Sequence, residues 1–277
     1  MPSSYFTIIT ATYNAAATLP RLLDSLAEQT CRDFELIIQD GASTDDTVAI
    51  AESYRDKLPS LSLVSEPDTG IYDAWNKALD RRAGQLGRWV LFLGADDKLT
   101  NCYVLQQVAD FLLTVNNGID FVSCDLIKIS QFHNDIFYFK LASNPVKALR
   151  VGMPCGHPAL FQRSNIFLTT RFFTTFKIAG DYDFLIRTLK NNSKIIRFNI
   201  CAVTMSGDGI SSSPQTKDLL QYENTIIWKK YFYFSYVTRT TLIRTKAFIK
   251  TLAKKNTLIQ RLLFMAKDHK KIDNLKQ

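Results

Sequence analysis

Acidic residues recur directly after apolar segments of this chain. Asp96 and Asp97 follow the apolar run 89–93 (WVLFL). Carboxylate oxygens are the ligands that Mg²⁺ and Mn²⁺ select, and such sites keep coordination positions open for substrate phosphates. The pair is therefore a candidate site for a divalent cation that neutralises charge on a diphosphate leaving group. The alternative is that the pair caps the helix predicted over 103–113, because Asp is a favoured N-cap residue.

Two further aspartates end other predicted strands. Asp40 stands in an Asp-Gly pair, and Asp68 stands in Pro-Asp-Thr-Gly. Carboxylates at these positions can accept hydrogen bonds from the N–H of a base or from ribose hydroxyls. Turn formation is the alternative, and the two roles are compatible.

Three candidates lie later in the chain. Asp181, in the segment 179–184 (AGDYDF), could act as general base for an acceptor hydroxyl, or it could cap a helix over 182–189. His157 could donate to a phosphate or ligate a metal, with a structural role as the alternative. The loop 206–211 (SGDGIS) could close over phosphates through backbone N–H groups, although it lacks the spacing of known glycine-rich phosphate loops.

These residues need a scaffold, and hydrophobic patterning supplies one. Strands are predicted from β-branched and aromatic runs over 5–10, 34–39, 61–65 and 89–93. Three helices are predicted between these strands. Thr18 and Ser43 are the expected N-cap residues of the first two, and the third spans 71–82. The alternation predicts an α/β fold with a mostly parallel central sheet flanked by helices. Ligands of such sheets bind beyond the carboxyl ends of the strands, so the polar groups should meet at one rim.

Composition and charge divide the chain unequally. It has 277 residues, of which 46% are hydrophobic and 22% charged, and a net charge of +8. Residues 229–277 hold 13 of the 34 basic residues but only two of the 26 acidic ones. The remainder is slightly acidic, which argues against nucleic acid as the partner of the whole protein. The five cysteines form no CxxC pair, which argues against a disulfide framework or a zinc site.

The basic end predicts a separate function. We expect a catalytic domain over 1–212 and a helical, basic extension over 213–277. The segment 245–254 combines apolar positions at helical spacing with lysines, which favours binding to an anionic membrane surface. A docked helix with a solvated basic face is the alternative. The chain shows neither a secretory signal nor an apolar run long enough to span a bilayer, so we expect a cytoplasmic protein on the inner face of the membrane.

Six segments in this order resemble those of the family 2 glycosyltransferases with the GT-A fold: 10–14 (TATYN), 39–47 (QDGASTDDT), 65–77 (SEPDTGIYDAWNK), 92–97 (FLGADD), 180–183 (GDYD) and 208–211 (DGIS). The third is the most specific. It is similar to enzymes, including the colanic-acid type, that build bacterial exopolysaccharide and O-antigen units.

The resemblance implies an inverting glycosyltransferase that requires Mn²⁺ or Mg²⁺. It would move a sugar from a nucleotide diphosphate, which we expect to be UDP in this family, onto a lipid-linked glycan acceptor. Asp181 corresponds to the catalytic base, and Asp96 and Asp97 correspond to the metal site. The positions implied for donor binding are Thr10, Ala11, Thr12, Tyr13, Asn14, Asp40, Asp68, Gly70, Asn76, Lys77, Ala95, Asp96 and His157.

The chain departs from the family pattern at two glycines. Gly94 stands where the Asp-x-Asp metal motif commonly has its first Asp, which leaves Asp96 as the metal ligand and Asp97 or Asp68 for the ribose contact. Gly180 stands where the base motif commonly has Glu.

Two other function classes compete with this reading. A nucleotidyltransferase would need a basic, glycine-rich phosphate loop after the first strand, and 10–14 offers none. A non-catalytic nucleotide-sugar-binding module would not need Asp96 and Asp181.

Overall fold

The computed structural model describes residues 4–115, 117–129, 135–206 and 216–233, together with 237 and 241. The chain divides into two compact units, Met1–Asn224 and Thr225–Gln277. The boundary expected after residue 212 and the segment 245–254 lie outside the described residues. Within the described ranges, no helix combines the length and apolar character that crossing a bilayer requires.

The described strands and helices follow one another with short connections. The strands are β1 (Phe6–Thr12), β2 (Phe34–Asp40), β3 (Leu61–Ser65), β4 (Trp89–Phe92), β5 (Lys98–Leu99), β6 (Phe121–Ile129), β7 (Ile136–Phe139), β8 (Leu160–Arg163) and β9 (Ile195–Ser206). The α-helices are α1 (Leu19–Ala27), α2 (Thr47–Glu52), α3 (Ile71–Arg81), α4 (Val104–Thr114), α5 (Pro145–Ala148), α6 (Gly180–Lys190) and α7 (Lys217–Tyr231). Short 3-10 helices cover His157–Ala159 and Ser164–Leu168.

The strands form one sheet in the order β3-β2-β1-β4-β8-β6-β9-β5, with β7 paired to β6. The first four strands are mutually parallel, and β6 pairs with β9 in parallel. Strand β8 is antiparallel to both of its neighbours, and the β5–β9 and β6–β7 pairs are also antiparallel. The predicted α/β fold with a parallel sheet is confirmed, and its parallel first half contains all four strands predicted from sequence.

One face of the sheet is covered by α1 and α4. Side chains alternate between faces along a strand, so Phe6 and Ile8 of β1 point to the same side. They belong to a buried apolar cluster that also contains Leu22 and Leu26 of α1 and Val104 of α4. The apolar side chains of α1 are thus buried against the sheet.

The opposite face is packed by α3 and α6 through aromatic rings. The ring centroids of Trp75 on α3 and Phe92 on β4 are 4.6 Å apart. Phe172 stacks on Phe184 of α6 at 4.5 Å and contacts Trp75 at 5.1 Å. This aromatic packing fixes α3 and α6 relative to the sheet, so the polar residues on both helices inherit defined positions.

The predicted helix caps were partly wrong. Thr18 occupies the N-cap of α1, but its side chain makes no capping hydrogen bond. Helix α2 begins at Thr47 with Asp46 as its N-cap residue, rather than at Ser43. The Ser43 hydroxyl instead donates to Asp40, so it serves the end of β2.

Candidate active site

The carboxyl ends of β1, β2 and β3 meet at the side chain of Asp40. Thr12, Asp40 and Ser65 lie in register across the three strands. The buried Asp40 carboxylate accepts hydrogen bonds from the hydroxyls of Thr12 (2.8 Å), Ser65 (2.7 Å) and Ser43 (2.5 Å), and from the Ser43 backbone N–H (2.8 Å). Burial raises the pKa of the Asp40 carboxyl, but hydrogen bonds from Ser43, Ser65 and Thr12 outweigh it and leave the pKa below its usual value. An ionised carboxylate therefore holds three strand ends together.

Asp68 lies directly over Gly41. A Cβ at Gly41 would stand 2.7 Å from Oδ2 of Asp68 and 3.4 Å from the ring of Tyr13, so a side chain at this position would displace the Asp68 carboxylate. The other oxygen, Oδ1, accepts from the Gly70 N–H at 2.8 Å. Both Asp40 and Asp68 thus perform the turn chemistry that the sequence allowed, and the Tyr13 ring beside them is 66% exposed.

The loop after β1 is tied to the loop after β2. The Asn14 N–H donates to the Ser43 hydroxyl, and the Asn14 side-chain oxygen accepts from the Thr44 N–H at 2.9 Å. Asn14 has a φ of 48°, in the left-handed region that Asn tolerates. Within β1 itself, Ala11 is half-buried and the Thr10 hydroxyl is buried with no partner among the described residues.

Asp96 and Asp97 follow β4, the strand next to β1. Asp97 is buried, and its Oδ2 accepts from the Gly94 N–H at 2.7 Å. Its Oδ1 is buried without a partner in the described part of the chain. Burial first, and then the charge of Asp96, raise the pKa of Asp97 to about 7. Ala95 and Asp96 are half-buried, which leaves Asp96 as the more accessible of the two carboxylates.

The capping alternative for this pair is wrong. The N-cap residue of α4 is Tyr103, and β5 lies between it and the two aspartates. Among the described residues, no group of three or more His, Cys, Asp or Glu side chains forms a complete metal site. Two adjacent carboxylates, one with a buried unpaired oxygen, nevertheless fit a cation whose remaining ligands come from substrate phosphates or water.

Asp181 lies in the first turn of α6 and contacts Tyr72 of α3. Its Oδ1 accepts from the Tyr182 N–H at 2.8 Å and lies 3.2 Å from the Tyr72 hydroxyl. That hydroxyl is also 2.6 Å from the carbonyl oxygen of Ile178. The capping alternative is wrong here too, because the N-cap residue is Ala179. Burial, followed by the charge of Asp181, raises the pKa of Tyr72 well above its ordinary value.

His157 lies inside the aromatic packing. It is 7% exposed, stacks on Trp75 at 5.3 Å and on Phe92 at 5.7 Å, and its Nε2 lies 3.2 Å from the side-chain nitrogen of Gln162. Burial lowers the pKa of His157, although the charge of Asp181 opposes the shift. A neutral, enclosed imidazole favours the structural alternative over contact with phosphate.

Residues 66–77 form a loop and helix that are internally braced. Gly70, with a φ of 127°, starts α3. The Lys77 ammonium donates to the carbonyl of Pro67 at 2.7 Å and pairs with Asp73 at 3.2 Å. The Asn76 amide donates to and accepts from the backbone of Phe172, at 2.8 Å and 3.1 Å. Lys77 and Asn76, both predicted to bind the donor, thus hold the loop before α3 and the segment at Phe172 in place.

The sequence did not single out Tyr72 or Lys177, although Tyr72 lies within the segment 65–77. Lys177 donates to the carbonyl of Thr69 at 2.6 Å and approaches Gly70. Contacts therefore run continuously from Asp40 through Asp68 and this loop to Asp181. The predicted closing loop at 208–211 lies outside the described residues.

A match to a family profile over more than half of the chain decides the family. Residues 7–167 match the profile described as Glycosyl transferase family 2. The chain is a family 2 glycosyltransferase. The family predicted from six short segments is confirmed.

One relative matches most of this glycosyltransferase, and another matches a shorter part of it. A PGL/p-HBAD biosynthesis glycosyltransferase of Mycobacterium tuberculosis is 35% identical over 225 residues, which cover 80% of this chain and 84% of the relative. The poly(ribitol-phosphate) β-N-acetylglucosaminyltransferase TarS of Staphylococcus aureus is 36% identical over 110 residues, 39% of this chain and 18% of TarS.

Solved structures identify the fold of the glycosyltransferase as GT-A. Residues 1–349 of S. aureus TarS, in complex with UDP-GlcNAc, align with a TM-score of 0.61 at 21% identity, over 82% of this chain and 67% of that one. The mannosyltransferase PcManGT from Pyrobaculum calidifontis, in complex with GDP-Man and Mn²⁺, aligns with a TM-score of 0.54 at 20% identity. The alignment covers 86% of this chain and 64% of that one. The chain spans 40% of the longer TarS chain.

Proposed function

We propose that this glycosyltransferase moves a sugar from UDP onto a lipid-linked glycan acceptor during bacterial surface polysaccharide synthesis. The proposal includes inversion at the anomeric carbon and a requirement for Mn²⁺ or Mg²⁺. The observation that carries it is the rim itself: contacts join Asp40, Asp68 and Asp181, and Asp96 and Asp97 follow β4, which is parallel to β1. The choice of UDP follows TarS, which has been crystallised with UDP-GlcNAc.

The donor would lie across the strand ends. The exposed ring of Tyr13 offers a stacking face for the base, next to Thr12 and the ionised Asp40. Asp68, half-buried over Gly41, is placed to accept from ribose hydroxyls. The bracing of Lys77 and Lys177 against the loop 66–70 would keep this surface in shape before the donor binds.

Asp96 is the proposed metal ligand, with Asp97 as a charged neighbour. A cation bound there would neutralise the charge that develops on the departing diphosphate. The raised pKa and the unpaired oxygen of Asp97 support this site, because positive charge would stabilise both carboxylates in their ionised forms.

Asp181 is the proposed general base. The acceptor hydroxyl oxygen forms a bond to the anomeric carbon while the bond from that carbon to the diphosphate oxygen breaks. The hydroxyl proton passes to the carboxylate of Asp181, and UDP leaves on the opposite face of the sugar. The hydrogen bond from the Tyr182 N–H and the contact with the Tyr72 hydroxyl keep the carboxylate in one orientation.

A donor panel tests the proposal. We expect the purified chain to release nucleoside diphosphate from at least one UDP-sugar with Mn²⁺ present, and the rate to fall at least about tenfold with excess EDTA. GDP-sugars serve as the control for the nucleotide, because their leaving group is also a nucleoside diphosphate. Absence of release from every sugar nucleotide would overturn the proposed function, and equal rates with EDTA would overturn the metal requirement alone.

A further inference from the structure

Glu223 is a buried carboxylate outside the rim. Glu223, on α7 and within the first unit, is 3% exposed. Its carboxylate accepts hydrogen bonds from three consecutive backbone N–H groups, those of Lys177 (2.6 Å), Ile178 (3.0 Å) and Ala179 (2.8 Å). A buried carboxylate needs such donors, and hydrogen bonds to a charged acceptor are stronger than neutral ones. The contact therefore fixes the backbone that it touches.

Two of the three residues bound by Glu223 have a second contact at the rim, and the third precedes α6. Lys177 donates through its ammonium group to the carbonyl of Thr69. The carbonyl of Ile178 accepts from Tyr72, whose hydroxyl also contacts Asp181. Ala179 is the N-cap residue of α6, two positions before Asp181.

We propose that Glu223 is a positioning residue for sugar transfer. It holds the segment 177–179 so that Asp181 keeps its place against Tyr72 and the attacking hydroxyl. Glu223 does not touch the substrate and acts only through this segment. The inference rests on the proposed function, in which Asp181 is the base.

Substitution of Glu223 separates positioning from donor binding. Glu223→Gln keeps the size of the side chain but replaces one acceptor oxygen with an NH₂ group that faces backbone donors. Misplacement of a reacting group by about 1 Å can cost about 100-fold in rate, so we expect kcat for UDP release from the best UDP-sugar to fall about 10- to 100-fold. The dissociation constant of UDP, measured by calorimetry with Mn²⁺, should change by less than about threefold, because Asp40 is anchored by β2 and the loop 66–70 keeps its other brace, Lys77, which Glu223 does not hold.

The matched control is Asp218→Asn, which removes the same charge from an exposed position on the same helix. It should leave both constants unchanged. If Glu223→Gln does not fold at the assay temperature, as judged by circular dichroism, Glu223→Asp replaces it. That variant keeps the charge but retracts the carboxylate by one methylene, and it should show the same selective loss of kcat.

A folded Glu223 variant with kcat within about threefold of the unsubstituted protein would overturn the inference, as would an equal loss of turnover and UDP affinity. Failure of both variants to fold would make Glu223 a stability residue and reject the positioning role. If the unsubstituted protein releases no nucleotide, the proposed function itself fails, which is a different result.

Discussion

Two glycines occupy positions where family 2 glycosyltransferases commonly carry acidic residues, and the structure shows what fills the space at each. A Cβ at Gly94 would stand 2.8 Å from Oδ1 of Asp96 and 3.2 Å from Oδ2 of Asp97. A Cβ at Gly180 would stand 2.7 Å from the ring of Tyr72. The carboxylates of the metal motif fill the first space, and the aromatic partner of the proposed base fills the second. Steric exclusion therefore explains the departure at Gly180, whereas a side chain at Gly94 would require the Asp96 carboxylate to shift.

Substitution of Gly180 tests this explanation at the residue scale. Gly180→Ala should reduce the free energy of unfolding by about 1–3 kcal/mol, because the buried Tyr72 ring must move to admit the methyl group. Urea denaturation measures the change. The matched control is Gly152→Ala, since a Cβ at Gly152 has no neighbour within 4 Å among the described residues. Equal effects of the two substitutions would contradict the packing argument.

At the scale of elements, Asp40 joins the ends of three parallel strands. The folded-state pKa of Asp40 lies below the value of the unfolded chain, so the native state binds fewer protons at this site. The resulting stability is present above the unfolded-state pKa and is lost as the pH falls through the folded-state pKa.

Asp40→Asn removes this charge and at least one hydrogen-bond acceptor. We expect it to lower the free energy of unfolding at pH 7 by about 1–3 kcal/mol, the cost of disrupting buried hydrogen bonds to a charged group. Between about pH 5 and 3, the free energy of unfolding should fall less in the variant than in the unsubstituted protein. The difference should equal the part of the fall that protonation of Asp40 contributes. Parallel denaturation series at several pH values provide the measurement. An unchanged pH dependence would show that Asp40 is not ionised in the folded state.

Sequence patterning predicted the parallel half of this sheet because each of its strands is a short apolar run that ends in a polar turn. The ends of β1, β2 and β3 differ from the predicted ends by at most two residues. The caps at Thr18 and Ser43 were predicted from residue type alone. The Ser43 hydroxyl instead donates to Asp40, whose other two hydroxyl partners, Thr12 and Ser65, are 28 and 25 positions away from it. Long-range partners of this kind leave no local pattern.

The same limit applies to the candidate site. Asp40, Asp68, Asp96 and Asp181 follow recognisable local segments, so the sequence identified them. Tyr72, Lys177 and Glu223 act through contacts between residues 44 to 109 positions apart, and spacing in the sequence does not reveal such contacts. His157 was noted for its neighbours Gly156 and Pro158, but its burial follows from the stacking of Trp75 and Phe92, which only tertiary packing determines.

For the whole molecule, charge is concentrated at the carboxyl-terminal end. Residues 229–277 carry 13 basic and two acidic residues, while the rest of the chain is slightly acidic. We propose that this end binds anionic lipid on the cytoplasmic face of the membrane, where a lipid-linked acceptor would be found. Each basic residue near such a surface contributes about 1 kcal/mol to the free energy of membrane binding. The 13 basic residues together would therefore be sufficient for binding.

Vesicle flotation tests the membrane proposal. The full chain should float with vesicles that contain phosphatidylglycerol and should be released by high salt, because surface charges are screened. A chain that ends at residue 228 should remain in the dense fraction. Neutral phosphatidylcholine vesicles provide the control for non-electrostatic binding. Equal flotation of the two chains would rule out the basic end as the membrane anchor.

The most direct test of the central claim, that carboxylates from distant segments act at one rim, is turnover by Asp181→Asn. The account predicts that nucleotide release falls by at least about 100-fold, the usual contribution of a general base, while the dissociation constant of UDP changes by less than about threefold. Asp110→Asn, on the exposed side of α4, is the matched control and should behave as the unsubstituted protein. Retained turnover, or loss of UDP binding together with turnover, would contradict the role given to Asp181.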